Sequence, residues 1–491
     1  MNVARVLALS TLVSVSMHGT SSQADPGPIF QIPLCLTAQT VSPGAAGTHP
    51  LASALATTCA GGTISVNPGT YLETLNITRS VTIKAAVTNS PPTIQNTITY
   101  PAQPALVSVS GNVNVTLSNL KLLPLAIRGV RGVATGAGAP NLTITSSQVT
   151  GGTQGVAGSF HKLSISGSAF AMATGDCVHA SSDGLAGSSV NIANSSAGNC
   201  GKQGIWSADF PIASFTYNTV SWANGGAGIS SANVATTVAH NKVDHSDQGI
   251  FVMAATHGVI DDNDVAFSTY ADLVVWESDD VSVTDNRLVH GKGTGIYIED
   301  SAGSSLDGNT VTGAVGPGIF ITASADTAMA YNLVHGGLPG VYVQDSQHVS
   351  MDGDVVTGVK RAGIELHGVL DFSAEYVDVA AVGRDTDDNF GDGVLIDHVD
   401  VATFTDCHVD HVARAGFSAF NTVPGPPVLT SVVLADISVA CAPVLFGAEP
   451  GAEYAQTNVT CRTCSDALMQ CEVVSKNLQA PPALPKLVSN G

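Results

Sequence analysis

Charged residues make up only 12% of the 491-residue chain, and cations are scarcer than anions: 18 Lys and Arg stand against 39 Asp and Glu. The net charge of −21 leaves no basic stripe to pair with phosphates, which excludes nucleic acid as a partner. Long polyanions are excluded too, unless a local basic patch or a bridging cation meets them. Beyond residue 24 no apolar run approaches the ~20 residues of a membrane helix, so no transmembrane segment is expected. Helical periodicity is also missing. The apolar residues alternate with period two rather than 3.6, which excludes a helical repeat array. Aromatics are sparse at 5%, whereas Gly is plentiful at 51 residues. That balance belongs to many short strands joined by tight turns.

Residues 1–24 read as a secretory signal. Arg5 supplies the positive start, Val6 to Met17 is mostly apolar and too short to span a bilayer, and Ser22-Gln23-Ala24 is a small-x-small cleavage site. The expected location is therefore secreted, cell-surface or periplasmic, where nine Cys imply disulfides. Spacing predicts bridges Cys35–Cys59 and Cys177–Cys200 and leaves Cys407 as a buried free thiol. The connectivity among Cys441, Cys461, Cys464 and Cys471 stays open, and no His stands at ligand spacing from Cys461-x-x-Cys464.

The organising stretch runs from Gly295 to Gly358: GIYIEDSAGSSLDGNTVTG, GIFITASADTAMAYNLVHG and GVYVQDSQHVSMDGDVVTG. A Gly-apolar-x-apolar start recurs every 22 or 23 residues at Gly295, Gly318, Gly340 and Gly363. Asn keeps step with it at Asn218, Asn241, Asn263, Asn286, Asn309 and Asn332, followed by Asp354. Each repeat has room for three short strands, and stacked Asn side chains can hydrogen-bond from rung to rung. The chain resembles the pectate-lyase-like superfamily of right-handed parallel β-helices over roughly residues 60 to 445. The resemblance implies an all-β solenoid of about a dozen rungs, capped by a short helix near 48–59. The expected organisation is signal 1–24, lead-in and cap 25–60, β-helix 61–445, Cys-rich C-terminal cap 446–473 and flexible tail 474–491.

Outward positions on the first strand of each rung form two columns. The first reads Trp206, Ser230, Phe251, Val274, Tyr297, Phe320, Tyr342, Glu365, Leu395, Ser418; the second includes Glu299, His367 and Asp397. Trp206, Phe251, Tyr297, Phe320 and Tyr342 would make an aromatic strip that stacks on the sugars of a polysaccharide or cell-surface glycan. The alternative is a strip covered by other parts of the chain. Glu365, His367 and Asp397 lie beside the strip and are the catalytic candidates, because neighbouring carboxylates serve glycosidic acid–base chemistry. Arg361 and Arg384 could neutralise a uronate carboxylate. An enzyme built this way would be a polysaccharide lyase, a glycoside hydrolase or a uronate epimerase. The competing reading is a non-catalytic surface or interaction scaffold.

Two further features stand out. The interval from Gly363 to Gly393 is 30 residues, and the extra loop GRDTDDNFGDG offers Asp385, Asp387 and Asp392 as Ca²⁺ ligands. Phe390 occupies the place an EF-hand reserves for Gly, and the alternative is a solvated acidic turn. GDCVHAS (175–181) and NCGKQGIWSA (199–208) resemble the polygalacturonase pair GDDC and C-x-x-GHG. The resemblance supports the Cys177–Cys200 bridge and matches Asp176 to the second Asp. Gly175 stands at the first Asp, Gln203 replaces the His, and the NTD and RIK motifs are missing. The activity of that family is therefore not carried over.

Overall fold

Alternating β-branched and small residues build a coil in which every rung repeats the same hydrogen bonds. The computed structural model describes residues 35–45, 47–96, 104–136, 138–386, 390–420, 431–448, 453–462, 468–469 and 473–474. Residues 1–34, which include the expected signal, the tail beyond residue 474, Asp387, Cys464 and Cys471 lie outside the described residues.

A representative rung consists of the strands Ala271–Trp276, Val281–Thr284 and Arg287–Val289. Each pairs in parallel with its counterpart one rung on, as Leu273 with Ile296, Val283 with Leu306 and Leu288 with Val311. The strands gather into an 18-stranded sheet, which takes one strand per rung, and a 33-stranded set, which takes the other two. The 18-stranded sheet implies about 17 turns of the coil rather than a dozen. The additional rungs lie where the Gly signature is weak: Leu36–Val41 already pairs with Thr58–Val66, and Ala105–Ser110 with Arg128–Val133.

Inward side chains stack along the axis in one continuous core. Ile296, Ile319, Val341 and Ile364 are in register and at most 1% exposed. The helix Pro50–Thr57 buries Leu51, Ala54 and Leu55 against the first rungs. Its N-terminal amides are met by Glu73, whose Oε1 and Oε2 accept from Leu51 N–H (3.0 Å) and Ala52 N–H (2.9 Å).

The Asn positions form the expected internal ladder. Each donates its backbone N–H and its side-chain amide to the same Oδ1 one rung on, from Asn218 through Asn241, Asn263, Asn286, Asn309 and Asn332 to Asp354. Ser147, Ser168 and Ser195 extend it upstream, and Asn218 Oδ1 accepts from Ser195 N–H. The residue before each Asn sits in the left-handed region, as at Asp285 (φ 52°), Gly308 (φ 65°) and Tyr331 (φ 52°). Cys177–Cys200 is a disulfide and Cys407 is buried and free, both as expected. Cys35, Cys59, Cys441 and Cys461 are also disulfide-bonded.

Candidate functional site

The register extends the first outward column upstream of Trp206. Arg131 pairs with Ala157, Ala157 with His179, His179 with Trp206, and the column continues through Ser230 and Phe251 to Tyr342 and Glu365. One face of the coil therefore carries two clusters of chemically active residues, about eight rungs apart.

The downstream cluster contains the residues expected to be catalytic, and the fold brings them together. Arg361 donates to both oxygens of Glu365 (2.7 and 2.8 Å). His367 Nε2 lies 2.9 Å from Glu365 Oε1, and its Nδ1 lies 3.3 Å from Asp397 Oδ2. Asp397 Oδ1 in turn meets His398 Nδ1 at 2.8 Å. Burial would lower the His367 pKa, but its bonds to Asp397 and Glu365 push it up to about 9. Burial raises Glu365, yet hydrogen bonds from His367 and Arg361 hold it below the usual carboxylate range. The result is a charged network in which Glu365 is fully buried and Asp397 is 3% exposed.

The open aromatic platform expected beside it is not found. Tyr297, Phe320 and Tyr342 do stack, at 5.1 and 4.7 Å between centroids, but they are at most 2% exposed. They form an apolar cluster with Ala271 and Val274, apart from the main core, and Phe251 packs against it partly buried. Rings at rung spacing cover one another's faces, and Tyr270 and Trp276 join Phe251 against the cluster. Only Trp206 and Phe251 of the expected strip keep intermediate exposure.

The loop at 383–393 is likewise tied to the protein. Asp392 is fully buried, and both its oxygens are held by Arg414. Arg414 lies 3.8 Å over the Phe390 ring. Asp385 donates its N–H to Phe390 O (2.8 Å), and Arg384 Nη2 reaches Ala413 O at 3.4 Å. Asp410, His411 and Cys441 also converge, but Cys441 is disulfide-bonded and offers no thiolate.

Of the upstream cluster, the sequence singles out only Trp206 and, through the polygalacturonase resemblance whose activity is not carried over, Asp176. Two adjoining grooves are lined by Arg128, Gln154, Asp176 and Lys202 on one side and by Arg131, Gly158 and His179 on the other. Asp176 is 7% exposed and fixed on three sides. Its Oδ1 accepts from Gln203 N–H (3.1 Å), and its Oδ2 accepts from Gln154 Nε2 (3.2 Å) and lies 2.9 Å from His179 Nδ1. Burial raises its pKa, but the bonds from His179, Gln203 and Gln154 outweigh it and keep the carboxylate ionised. An ionised carboxylate only accepts, so His179 Nδ1 carries a proton, and in the neutral form of the ring the lone pair lies on Nε2. The His179 ring lies flat on Trp206, 4.0 Å between centroids. Arg128 Nε donates to Gln154 Oε1 at 2.7 Å.

Charge completes the picture. Arg287, Arg361 and Arg414 each pair with a carboxylate. Among the described residues Arg128, Arg131 and Lys202 have none.

The protein family described as right handed beta helix region matches residues 181–332 and 227–371. The coil is a right-handed β-helix. Solved structures similar to this β-helix include the periplasmic alginate epimerase AlgG, at 11% identity over 66% of this chain and 74% of that one, with a TM-score of 0.33. Another is the tailspike protein of the E. coli bacteriophage HK620 in complex with a pentasaccharide, at 12% identity over 78% and 74%, with a TM-score of 0.42. A third is tailspike protein 3 of bacteriophage CBA120, at 12% identity over 79% and 61%, with a TM-score of 0.39. Comparison with curated protein sequences finds no match. Among the described residues no helix is long and apolar enough to cross a membrane.

Proposed function

We propose that this β-helix binds an anionic polysaccharide in the upstream groove and that the Asp176–His179 pair moves a proton on it. The observation that carries this reading is the uncompensated charge. Three cations without carboxylate partners line the two adjoining grooves, Arg128 and Lys202 in one and Arg128 and Arg131 in the other, in a chain of net charge −21. Cations left unpaired beside a buried Asp–His pair favour a ligand that brings its own negative charge. Trp206, half-buried and followed in register by the small Ser230, adds an aromatic surface for a sugar.

The chemistry suits a uronate. Its carboxylate would sit on Arg131 or Arg128, with His179 Nε2 next to the adjoining ring carbon. The C–H bond of that carbon breaks, the proton passes to Nε2, and the electron pair spreads into the carboxylate, whose charge the guanidinium offsets. Return of a proton from water to the opposite face, with His179 giving its own back to solvent, gives the epimer. Departure of the neighbouring glycosidic oxygen, which takes up the proton held on His179, gives a cleaved, unsaturated end. The disulfides suit an oxidising compartment outside the cytosol.

The decisive experiment is proton NMR of uronate oligosaccharides incubated with the protein in D₂O. Exchange at the carbon beside the carboxylate is expected with the wild type and lost in His179→Gln, while Arg131→Ala weakens binding. If no anionic glycan binds or exchanges, the reading fails. The scaffold alternative then stands, and the burial of Tyr297, Phe320 and Tyr342 already agrees with it.

A further inference from the structure

We infer that Gln154 is a positioning residue that couples the anion-binding Arg128 to the Asp176–His179 pair. The inference rests on the functional reading above and adds to it a route by which ligand charge is felt at the imidazole.

Gln154 is held between a group that can only donate and a group that can only accept. Its Oε1 takes the Arg128 Nε–H at 2.7 Å, and its Nε2 gives a proton to Asp176 Oδ2 at 3.2 Å. Turning the amide over would set its NH₂ against the guanidinium and its oxygen against the carboxylate. Both neighbours therefore fix one orientation. The three side chains come from successive rungs: Arg128 opens the strand Arg128–Val133, and Gln154 and Asp176 each stand two residues before the strands Val156–Phe160 and Val178–Ser182. Backbone bonds hold the rungs in step, with Gly129 N–H on Gln154 O (2.8 Å) and Gly155 N–H on Asp176 O (3.3 Å).

The charge on Arg128 polarises the amide and strengthens its donation to Asp176, since hydrogen bonds in a chain reinforce one another. The same Asp176 oxygen serves His179, so the amide sets which way the carboxylate presents itself to the imidazole. The Gln203 N–H on Oδ1 stops the carboxylate from rotating. Gln203 lies three residues beyond Cys200, whose disulfide to Cys177 ties this rung to the one bearing Asp176. An anion that settles on Arg128 draws on the guanidinium, weakens the polarisation and changes the bond at Asp176. Ligands that do not reach Arg128 leave the pair as it is.

The test is nitrogen-15 NMR of the His179 ring in the full chain, alone and with D-glucuronate as the probe. Wild type, Gln154→Met and Gln154→Glu are compared, each checked for a native melting profile. In the wild type Nδ1–H is expected to dominate, and glucuronate should shift the His179 ring signals. Gln154→Met keeps the size of the side chain without its amide. It should lose the His179 response while glucuronate still binds, and should lower kcat on oligouronates by about tenfold with little change in KM. Gln154→Glu keeps a partner for Arg128 but sets a carboxylate against Asp176, so it should not restore the response. The inference is overturned if the His179 signals answer glucuronate equally in wild type and Gln154→Met, which would make the effect purely through space. If neither glucuronate nor longer uronates bind the wild type, the functional reading falls separately. An Asp176–His179 hydrogen bond whose Nδ1–H signal is the same in wild type and Gln154→Met then overturns the positioning role by itself.

Discussion

Asn309 gives both its backbone N–H and its side-chain amide to a single atom, Oδ1 of Asn332, at 3.0 and 2.9 Å. A hydrogen from the same amide also reaches Val283 O at 2.8 Å. Asn309 itself is fully buried. Replacing it with Ala removes the side-chain donor from Val283 O and Asn332 Oδ1 and the Oδ1 that accepts from the backbone N–H and side-chain amide of Asn286. The expected loss is about 1–3 kcal/mol, read from denaturant unfolding. An unchanged midpoint would show that water replaces the amide at no cost.

The ladder ends on a carboxyl. Asp354 Oδ1 accepts from Asn332, whereas its Oδ2 is buried without a partner among the described residues. Burial therefore raises its pKa from 3.8 to about 6, against the bonds from Asn332 that lower it. The folded state holds this proton more tightly than the unfolded chain. Its contribution to stability is complete below pH ~4 and fades as pH rises through about 6. Asp354→Asn should therefore stabilise the protein above pH 6, by up to about 3 kcal/mol, and make little difference below pH 4. The amide it introduces would meet Met329 O, which is the register counterpart of the Leu306 O that Asn332 uses. Melting curves of the two proteins across pH 4–8 provide the check.

The Arg361–Glu365–His367–Asp397 network should behave as a structural element. Removing one partner from a buried ion pair leaves the other charge unmet, and Glu365→Gln is expected to cost about 3–5 kcal/mol. The raised His367 pKa gives the effect a pH signature. Its stabilisation is full below about 6.5 and is lost as pH climbs through about 9. Wild type should lose stability across that window, and His367→Gln should be less stable at neutral pH but flat across it. A Glu365→Gln protein with wild-type stability would return the cluster to consideration as a reaction centre.

One rung exchanges two residues in a compensated way. Gly228 and Gly249 face the hydroxyls of Ser246 and Ser268, but in the next rung Asp272 takes the Gly place and Gly291 the Ser place. A Cβ on Gly291 would come within 2.5 Å of Asp272 Oδ2. Gly291→Ala should cost about 1–3 kcal/mol, and adding Asp272→Gly should recover most of it. Failure of the double variant to recover would place the strain in the backbone.

The fold was legible because its signals are periodic. Gly, Ile or Val, and Asn return at fixed steps, and the register in the structure follows those steps from Gly204 onward. The downstream cluster was legible for the same reason: counting along the repeat places Glu365, His367 and Asp397 side by side. Counting cannot tell whether a face is open, so the burial of Tyr297, Phe320 and Tyr342 was beyond it. The groove was missed because the Gly column is irregular there: Gly129 and Gly155 keep no 22–23-residue step, and Cys177 takes the next Gly place. The usable signals were the match of Asp176 to the second Asp of GDDC and the Cys177–Cys200 bridge. The bridge ties neighbouring rungs and, with Cys177 set in the Gly204 column, puts His179 beside Trp206.

Because every Asn in the ladder speaks to its successor through the same pair of bonds, one rung is interchangeable with the next. Excising residues 295–317 would join Thr294 to Gly318 and bring Asn286 opposite Asn332, with the backbone and side-chain partners of both preserved in kind. The coil is thus a ruler whose length can be edited in increments of ~4.8 Å. Duplication or loss of whole units in a lineage would slide the groove and the buried network along a common axis without remaking either.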